Sequence, residues 1–208
     1  MVIAADFDRA GPLLYTWQAY DNASKADLSS TGILLKAGLF LIDPIQLEEA
    51  ALADLITAGP IAGIVVTNAN HLRCVETYTR RFPVPVFAHG GVAADLAAGA
   101  ITEVADGAKV GDELEVIALE GAGRGEIALH SPCDGGSLIV GDALIHFDPH
   151  GFVPLPDKYC EDPKQMRRSL KRLVHYGIQR IFFAHGRPIV SNAHARLCTL
   201  LEVDLENV

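Results

Sequence analysis

The sequence predicts an α/β (α+β) protein in four layers, a helix–sheet–sheet–helix (αββα) sandwich. Three observations lead there. Between about residues 40 and 100, apolar strands alternate with amphipathic helices, the sign of a largely parallel sheet with helices packed on it. From about residue 101, short strands follow one another across Asp-Gly, Gly-Asp and Gly-Gly turns, the sign of antiparallel pairing. The chain then returns to helix, strand and helix, so each half carries strands and then helices. The 208 residues, 50% of them hydrophobic, suffice for a single domain built of two halves, about 1–100 and 101–208.

Taken in order, "GPLLYTWQAY" is an aromatic-rich strand opened by Gly-Pro. "TGILLKAGLFLID" reads as a hairpin turning at Ala37-Gly38. In "PIQLEEAALADLITAG", Leu47, Ala51 and Leu55 recur at helical spacing, and Gly59-Pro60 stops the helix. "IAGIVVT" is a strand. The polar run "NANHLR" then leads into a helix whose apolar face is Leu72, Val75, Thr79 and Phe82. "VPVFAH" is a further strand, followed by an alanine-rich helix near Ala93 to Ala98. In the second half, "ITEVADGAKVGDELEVIALE", "RGEIALHSP" and "GGSLIVGDALI" supply the antiparallel strands. "DPKQMRRSLKRLVHYG" is a helix burying Met166, Leu170, Leu173 and Val174; "IQRIFFAHG" is a strand and "SNAHARLCTLLEVDLENV" the last helix.

Composition narrows the function classes. A net charge of −9 argues against nucleic acid or an anionic membrane as partner, and the basic run "KQMRRSLKR" reads as one solvated helix face. The four cysteines are scattered without a C-x-x-C pair, which suits a reducing cytoplasm. No apolar run reaches membrane-spanning length and no signal peptide is expected. "GAGRGEIALH" lacks the full G-x-G-x-x-G spacing and runs into a strand, so it is a turn and not a dinucleotide site. A Walker loop, a G-x-S-x-G elbow and an H-E-x-x-H helix are all missing.

Chemistry-bearing residues gather at strand ends. "VVTNANHLR" puts Asn68, Asn70, His71 and Arg73 at the end of one strand. Asp142 tips the strand "SLIVGDALI", and His185 follows the buried strand in "IFFAHGRPI", where Gly186 allows close approach of backbone or ligand. His146, Asp148 and His150 alternate on a loop in the manner of ligands, although such triplets also arise by chance.

With those residues in view, nearly the whole chain resembles the metallo-β-lactamase superfamily. "LFLIDPI" is similar to the family's early strand ending in Asp, and "IVVTNANHLR" falls where the family has H-x-H-x-D-H. "HSPCDGGSL" resembles T-P-G-H-T-x-G-S, "LIVGDAL" the strand whose Asp bridges two metals, and "FFAHGRPI" the closing histidine region. The resemblance implies the family's αββα sandwich, in agreement with the pattern above.

Carried over by position, most implied ligands are replaced. The H-x-H-x-D-H positions become Asn68, Asn70, Leu72 and Arg73, with His71 at a spacer. The next histidine becomes Cys133, or Asp134 if the shortened segment is aligned otherwise, and only Asp142 and His185 stand as the family would have them. Asparagine is a poor zinc ligand, leucine none, and arginine brings a positive charge into a dication's space. The expectation is therefore a fold member without a dinuclear centre, metal-free and not a conventional dizinc hydrolase, in which Arg73 pairs with Asp142 and stacks near His185, and Asn68 and Asn70 cap the following helix and hold neighbouring backbone groups. The alternative is a hydrolase of a small ester, thioester or lactone with one Zn, Fe or Mn ion on Cys133, Asp142 and His185, completed by His71 or His130. Metal-free catalysis by Cys133 with His130 or His185 is a third reading. A small-molecule ligand is the expected partner.

Overall fold

Seven strands build one sheet and five another in the computed structural model, which describes residues 2–96, 100–147 and 150–203. A parallel pair of β1 (Ile3–Ala4) and β6 (Gln46–Leu47) stands apart from both. The first sheet runs, in spatial order, through β2 (Asp8–Arg9), β3 (Leu14–Asp21), β4 (Ala26–Leu35), β5 (Gly38–Ile42), β7 (Ile61–Val66), β8 (Val86–His89) and β9 (Ile101–Val104). The second runs through β10 (Lys109–Val110), β11 (Leu114–Ala118), β12 (Ile127–Ser131), β13 (Ser137–Val140) and β16 (Arg180–Phe183). β14 (Leu144–Phe147) and β15 (Gly151–Pro154) form a separate hairpin.

Strand alternation sorts the apolar side chains into three cores. On β5, Leu39 and Leu41 face outward into one core, while Phe40 and Ile42 face the other sheet. β7 does the same, with Ile64 and Val66 outward and Val65 inward. In the second sheet, Leu138 and Val140 of β13 and Ile181 and Phe183 of β16 point outward, and Ile139 and Phe182 inward. The period of two along each strand thus places helices on both outer faces and sheet against sheet in the middle. Each fully buried leucine or isoleucine contributes about 1.5–3 kcal/mol relative to exposure.

The helices cover those outer faces. α1 (Glu49–Leu55) and α2 (Val75–Arg81) pack Leu52, Leu55, Val75 and Tyr78 on the first sheet, and α3 (Gly90–Ala93) adds Val92. α4 (Pro163–Lys171) and α5 (Ala193–Leu200) pack Met166, Leu170 and Leu197 on the second. α4 starts where Asp162 Oδ1 accepts the amides of Lys164 (2.9 Å) and Gln165 (3.0 Å), with Pro163 preset for the first turn. The four-layer αββα sandwich is thus complete.

Several local expectations shift. The β4–β5 turn is Lys36-Ala37, one residue earlier than expected, and Gly38 (φ 129°) opens β5 because a Cβ there would sit 2.5 Å from the Pro60 carbonyl. Leu47 belongs to β6 rather than to α1. The helix expected near Ala93 to Ala98 begins at Gly90 and ends at Ala93; Ala97 and Ala98 lie outside the described residues, as do Asp148 and the tail from residue 204. "ITEV" was expected among the antiparallel strands of the second half, but as β9 it pairs parallel with β8 in the first sheet. The passage through α3 returns the chain in the same direction, as a parallel connection requires. The strands β10 to β13 are antiparallel, and β13 pairs with β16 in parallel. Among the described residues no helix is long and apolar enough to cross a membrane.

Candidate functional site

Strand direction decides where polar groups meet. β5 and β7 are parallel, and so are β13 and β16, and beyond these four carboxyl ends lie Asp43, Thr67, Asp142 and His185. Open α/β sheets bind ligands at such ends. Thr67 is followed by a short 3₁₀ turn, Ala69–His71, whose N-cap is Asn68; its Oδ1 accepts the Asn70 amide at 2.8 Å. The turn directs His71 into the interior, where it is 1% exposed, while Leu72 joins the outer core. Two residues here hold the left-handed backbone conformation, Asp43 (φ 47°) and Arg73 (φ 29°). Asp43 also precedes Pro44, which disfavours α conformations, so the surroundings impose this strain.

His71 is the centre of the network. Its Nδ1 lies 2.9 Å from Asp43 Oδ2 and 2.9 Å from Thr67 Oγ1, and its Nε2 lies 3.1 Å from Asp142 Oδ1. Thr67 holds Asp43 as well, donating its amide to Oδ1 at 2.8 Å and its hydroxyl to Oδ2 at 2.5 Å. His185 Nε2 stands 3.2 Å from the same Asp142 Oδ1, and its Nδ1 lies 3.1 Å from the Asp27 carbonyl. Asn70 Nδ2 donates to Asp142 Oδ2 at 3.2 Å. Beneath these, buried Glu126 accepts from Asn68 Nδ2 at 2.7 Å and from the Ala143 amide at 3.0 Å.

The charges are held by one another. Burial, the largest influence, would lower the pKa of His71, and Arg73 adds to it, but the Asp43 and Asp142 carboxylates together outweigh both and raise it to about 9. Burial would raise Asp142, yet the neighbouring His71 and His185 hold its carboxyl well below the usual carboxylate range. Glu126 goes the other way: burial, and then the Asp142 charge, push it up to about 8. Asp43, where burial is opposed by His71 and Arg73, is lowered.

The arrangement corrects two expectations. Arg73 does not pair with Asp142. Its Nη1 donates to the carbonyls of Ser29 (2.7 Å) and Asp43 (3.0 Å), and its Nη2 to that of Ala184 (3.1 Å), so both terminal nitrogens are engaged by backbone oxygens. His71 takes the place beside Asp142 and also the place beside His185, at 5.4 Å between ring centroids. Cys133, expected as a ligand with Asp142 and His185, lies instead in the 3₁₀ turn after β12. The metal-capable group of three among the described residues is His71, Asp142 and His185, whose donor atoms all lie within 4.8 Å of one another. His130 sits elsewhere, against Tyr176 and 3.4 Å from the Gly177 carbonyl.

Sequence reasoning singled out neither Thr67 nor Glu126 as a site residue, and Asp43 only as a strand end. Glu126 left a faint signal, an acid directly before the apolar strand β12. The glycines proved informative. A Cβ on Gly141 would stand 2.5 Å from Thr67 Oγ1 and 2.6 Å from Glu126 Oε1, so only glycine lets the two halves close over the network. Gly186 (φ 96°) packs against the His146 carbonyl.

Comparison with known proteins agrees with the architecture. The family model of the metallo-beta-lactamase superfamily matches residues 8–203. No curated protein matches the chain. Among solved structures, the DIM-1 metallo-beta-lactamase exposed to ceftazidime aligns with a TM-score of 0.75 at 14% identity, over 97% of this chain and 98% of that one. A metallo-beta-lactamase from Pontibacter korlensis gives 0.72 at 18% identity, over 98% and 100%. An archaeal superfamily protein from Sulfolobus tokodaii gives 0.63 at 16% identity, over 84% and 79%. At such identities these neighbours speak for the fold, and the family match over residues 8–203 speaks for descent: the chain belongs to the metallo-β-lactamase superfamily.

Proposed function

We propose that this protein is a member of its superfamily without a dinuclear metal centre, metal-free at rest, whose activity is the binding of a small molecule and not hydrolysis by two metals. The observation that carries the reading is Arg73, a permanent cation half-buried at one of the family's ligand positions and bonded to three carbonyls. The neighbouring positions agree. Asn68 is committed to Glu126, Asn70 offers a neutral amide to Asp142, and Leu72 has no donor at all. Two zinc ions need two sets of deprotonated or neutral donors, and these residues do not provide them. The donor set does not fit the dinuclear group, and no catalytic step is drawn through one.

The site instead acts as an ionic plug between the sheets, with Asp43 and Asp142 answered by His71 and Arg73. A ligand would approach from the side of Asp142 and His185, the more open members. Elemental analysis of protein made in unsupplemented and in zinc-rich medium tests this, together with assays on lactam, thioester, phosphodiester and lactone substrates. The expected result is no retained pair of metals and no turnover above buffer. Two equivalents of zinc, with hydrolysis abolished in Asp142→Ala, would overturn it.

A further inference from the structure

We infer that the cavity between α4, the end of α5 and the β14–β15 hairpin is a binding site for a small organic phosphate, a phosphate monoester carried on a short apolar body. The cavity lies among the helices outside the second sheet and shares no residue with the strand-end network. The inference is independent of the function proposed above.

The space and its walls come first. The cavity holds about 360 Å³, near the lower end of the roughly 300–1,000 Å³ usual for small-molecule sites. One wall is α4, which presents Arg167, Arg168 and Lys171. The other is apolar, with Pro154 of β15 facing Leu200 and Leu201 at the end of α5. That end is fixed by a Schellman turn: Glu202 takes the left-handed conformation (φ 53°), and the Val203 amide donates to the Cys198 carbonyl at 3.0 Å.

The charges come next. Positions i, i+1 and i+4 crowd three like charges onto one turn of α4, an arrangement that repels itself. The carbonyl end of the helix offsets part of the repulsion, but it does not account for an apolar cavity in front of the cations. Nor do carboxylates answer them. Arg167 pairs with Asp157 at 2.6 Å, yet among the described residues neither Arg168 nor Lys171 has a carboxylate within ion-pair distance. Arg168 reaches the Gln165 amide oxygen at 3.0 Å. Arg196, one turn before Leu200 on α5, lies 5.9 Å from the centre of the Phe152 ring. It too has no carboxylate partner among the described residues. In a chain of 26 acids against 17 lysines and arginines, cations left unanswered on one face are out of keeping with the whole. Within the lining, three cations against one acid, Glu202, leave two positive charges in excess.

That excess selects the ligand. Guanidinium groups grip phosphate oxygens in pairs, and an ammonium adds a point charge. A phosphate monoester brings about −1.5 to −2 charge and three acceptor oxygens, where a carboxylate brings one charge and two oxygens. The apolar wall serves only a ligand with hydrocarbon beyond its phosphate. The basic run of α4 thus gains a role beyond that of a solvated face.

The experiment titrates the full chain with hexyl phosphate, inorganic phosphate, hexanoate and hexanol in buffer free of phosphate and sulfate. Calorimetry gives affinity, and backbone amide shifts in NMR give the place. The expected result is one equivalent of hexyl phosphate, with shifts centred on Lys171, Leu200 and Leu201. Its affinity should exceed that of inorganic phosphate or hexanoate by roughly tenfold or more. Arg168→Gln and Lys171→Gln should each weaken it by roughly tenfold. Leu200→Ser should weaken hexyl phosphate and leave inorganic phosphate unchanged. Arg80→Gln, which removes a cation paired with Glu76 on α2, should leave both unchanged. Circular dichroism checks each fold, and the two exposed cation variants keep the test valid if Leu200→Ser does not fold. Binding that does not saturate, equal affinity for hexanoate, or equal weakening in Arg80→Gln overturns the inference and leaves the proposed function standing. Shifts centred on Asn70, Asp142 and His185 overturn it too, since the ligand would then sit at the strand ends.

Discussion

His71 Nδ1 and Asp43 Oδ2 lie 2.9 Å apart with both side chains 2% exposed, an ion pair wholly inside the protein. Removing one partner of such a pair strands the other charge, which costs about 3–5 kcal/mol, whereas the intact pair is worth little against a well-packed apolar substitute. Asp43→Asn should therefore lower the unfolding free energy of the protein by about 3 kcal/mol or more. Urea denaturation measures this, and a loss under 1 kcal/mol would show that Thr67 alone holds His71.

Stability should decline on the alkaline side. His71 is raised from 6.5 to about 9, so its contribution is complete below pH 6.5 and disappears as pH climbs through 9. Glu126, raised from 4.5 to about 8, keeps its proton when folded and releases it when unfolded, which also makes stability fall between those values. Both act in the same direction from pH 6.5 to 8, each at a limiting slope of about 1.4 kcal/mol per pH unit. Asp43 and Asp142, both lowered, set the acid limb, where stability is lost as pH falls below 3.8. Denaturant midpoints across pH 5 to 9 check the sign, and Glu126→Gln should make the descent shallower. A flat profile from pH 6.5 to 8 would refute the assignment.

Arginine at position 73 should not be replaceable by lysine. The guanidinium serves three carbonyls from a planar fork, and hydrogen bonds to charged groups are worth about 1.5–3 kcal/mol each. Arg73→Met should cost about 3 kcal/mol or more, and Arg73→Lys should recover only part of it. Equal stability of the lysine variant and the parent, by thermal unfolding, would mean that charge alone matters there.

Gly141→Ala tests the closure of the two halves. The added methyl meets Thr67 Oγ1 at 2.5 Å and Glu126 Oε1 at 2.6 Å, both buried and bonded. Overpacking of this kind costs about 1–3 kcal/mol. Gly107→Ala makes a useful comparison, since a Cβ there meets nothing within 4 Å and only its φ of 76° resists.

The layers were legible in the sequence because they rest on local period. Leu39, Leu41, Ile64 and Val66 alternate with Phe40, Ile42 and Val65, and that alternation alone sorts outer core from inner. The general place of the network was legible too, since Asn68, Asp142 and His185 follow apolar strands. The partners were not. Asn68 finds Glu126 across 58 residues and Arg73 finds Ala184 across 111, separations at which motif spacing carries no information. The expected pairing of arginine with the carboxylate failed because the guanidinium bonds three carbonyls and a histidine from a spacer position stands beside Asp142 instead. The sheet membership of β9 was hidden because a short strand looks alike in either pairing.

The three carbonyls around Arg73 also join distant parts of the chain through one side chain. Those of Ser29 and Asp43 lie in β4 and just beyond β5, in the first sheet. The third, on Ala184, follows β16 of the second sheet, and it also accepts the Ser29 amide at 2.8 Å. Sliding of one sheet past the other at this end therefore has to break guanidinium bonds on one side or the other, and a single arginine works as a rivet through the polar edge of the sandwich.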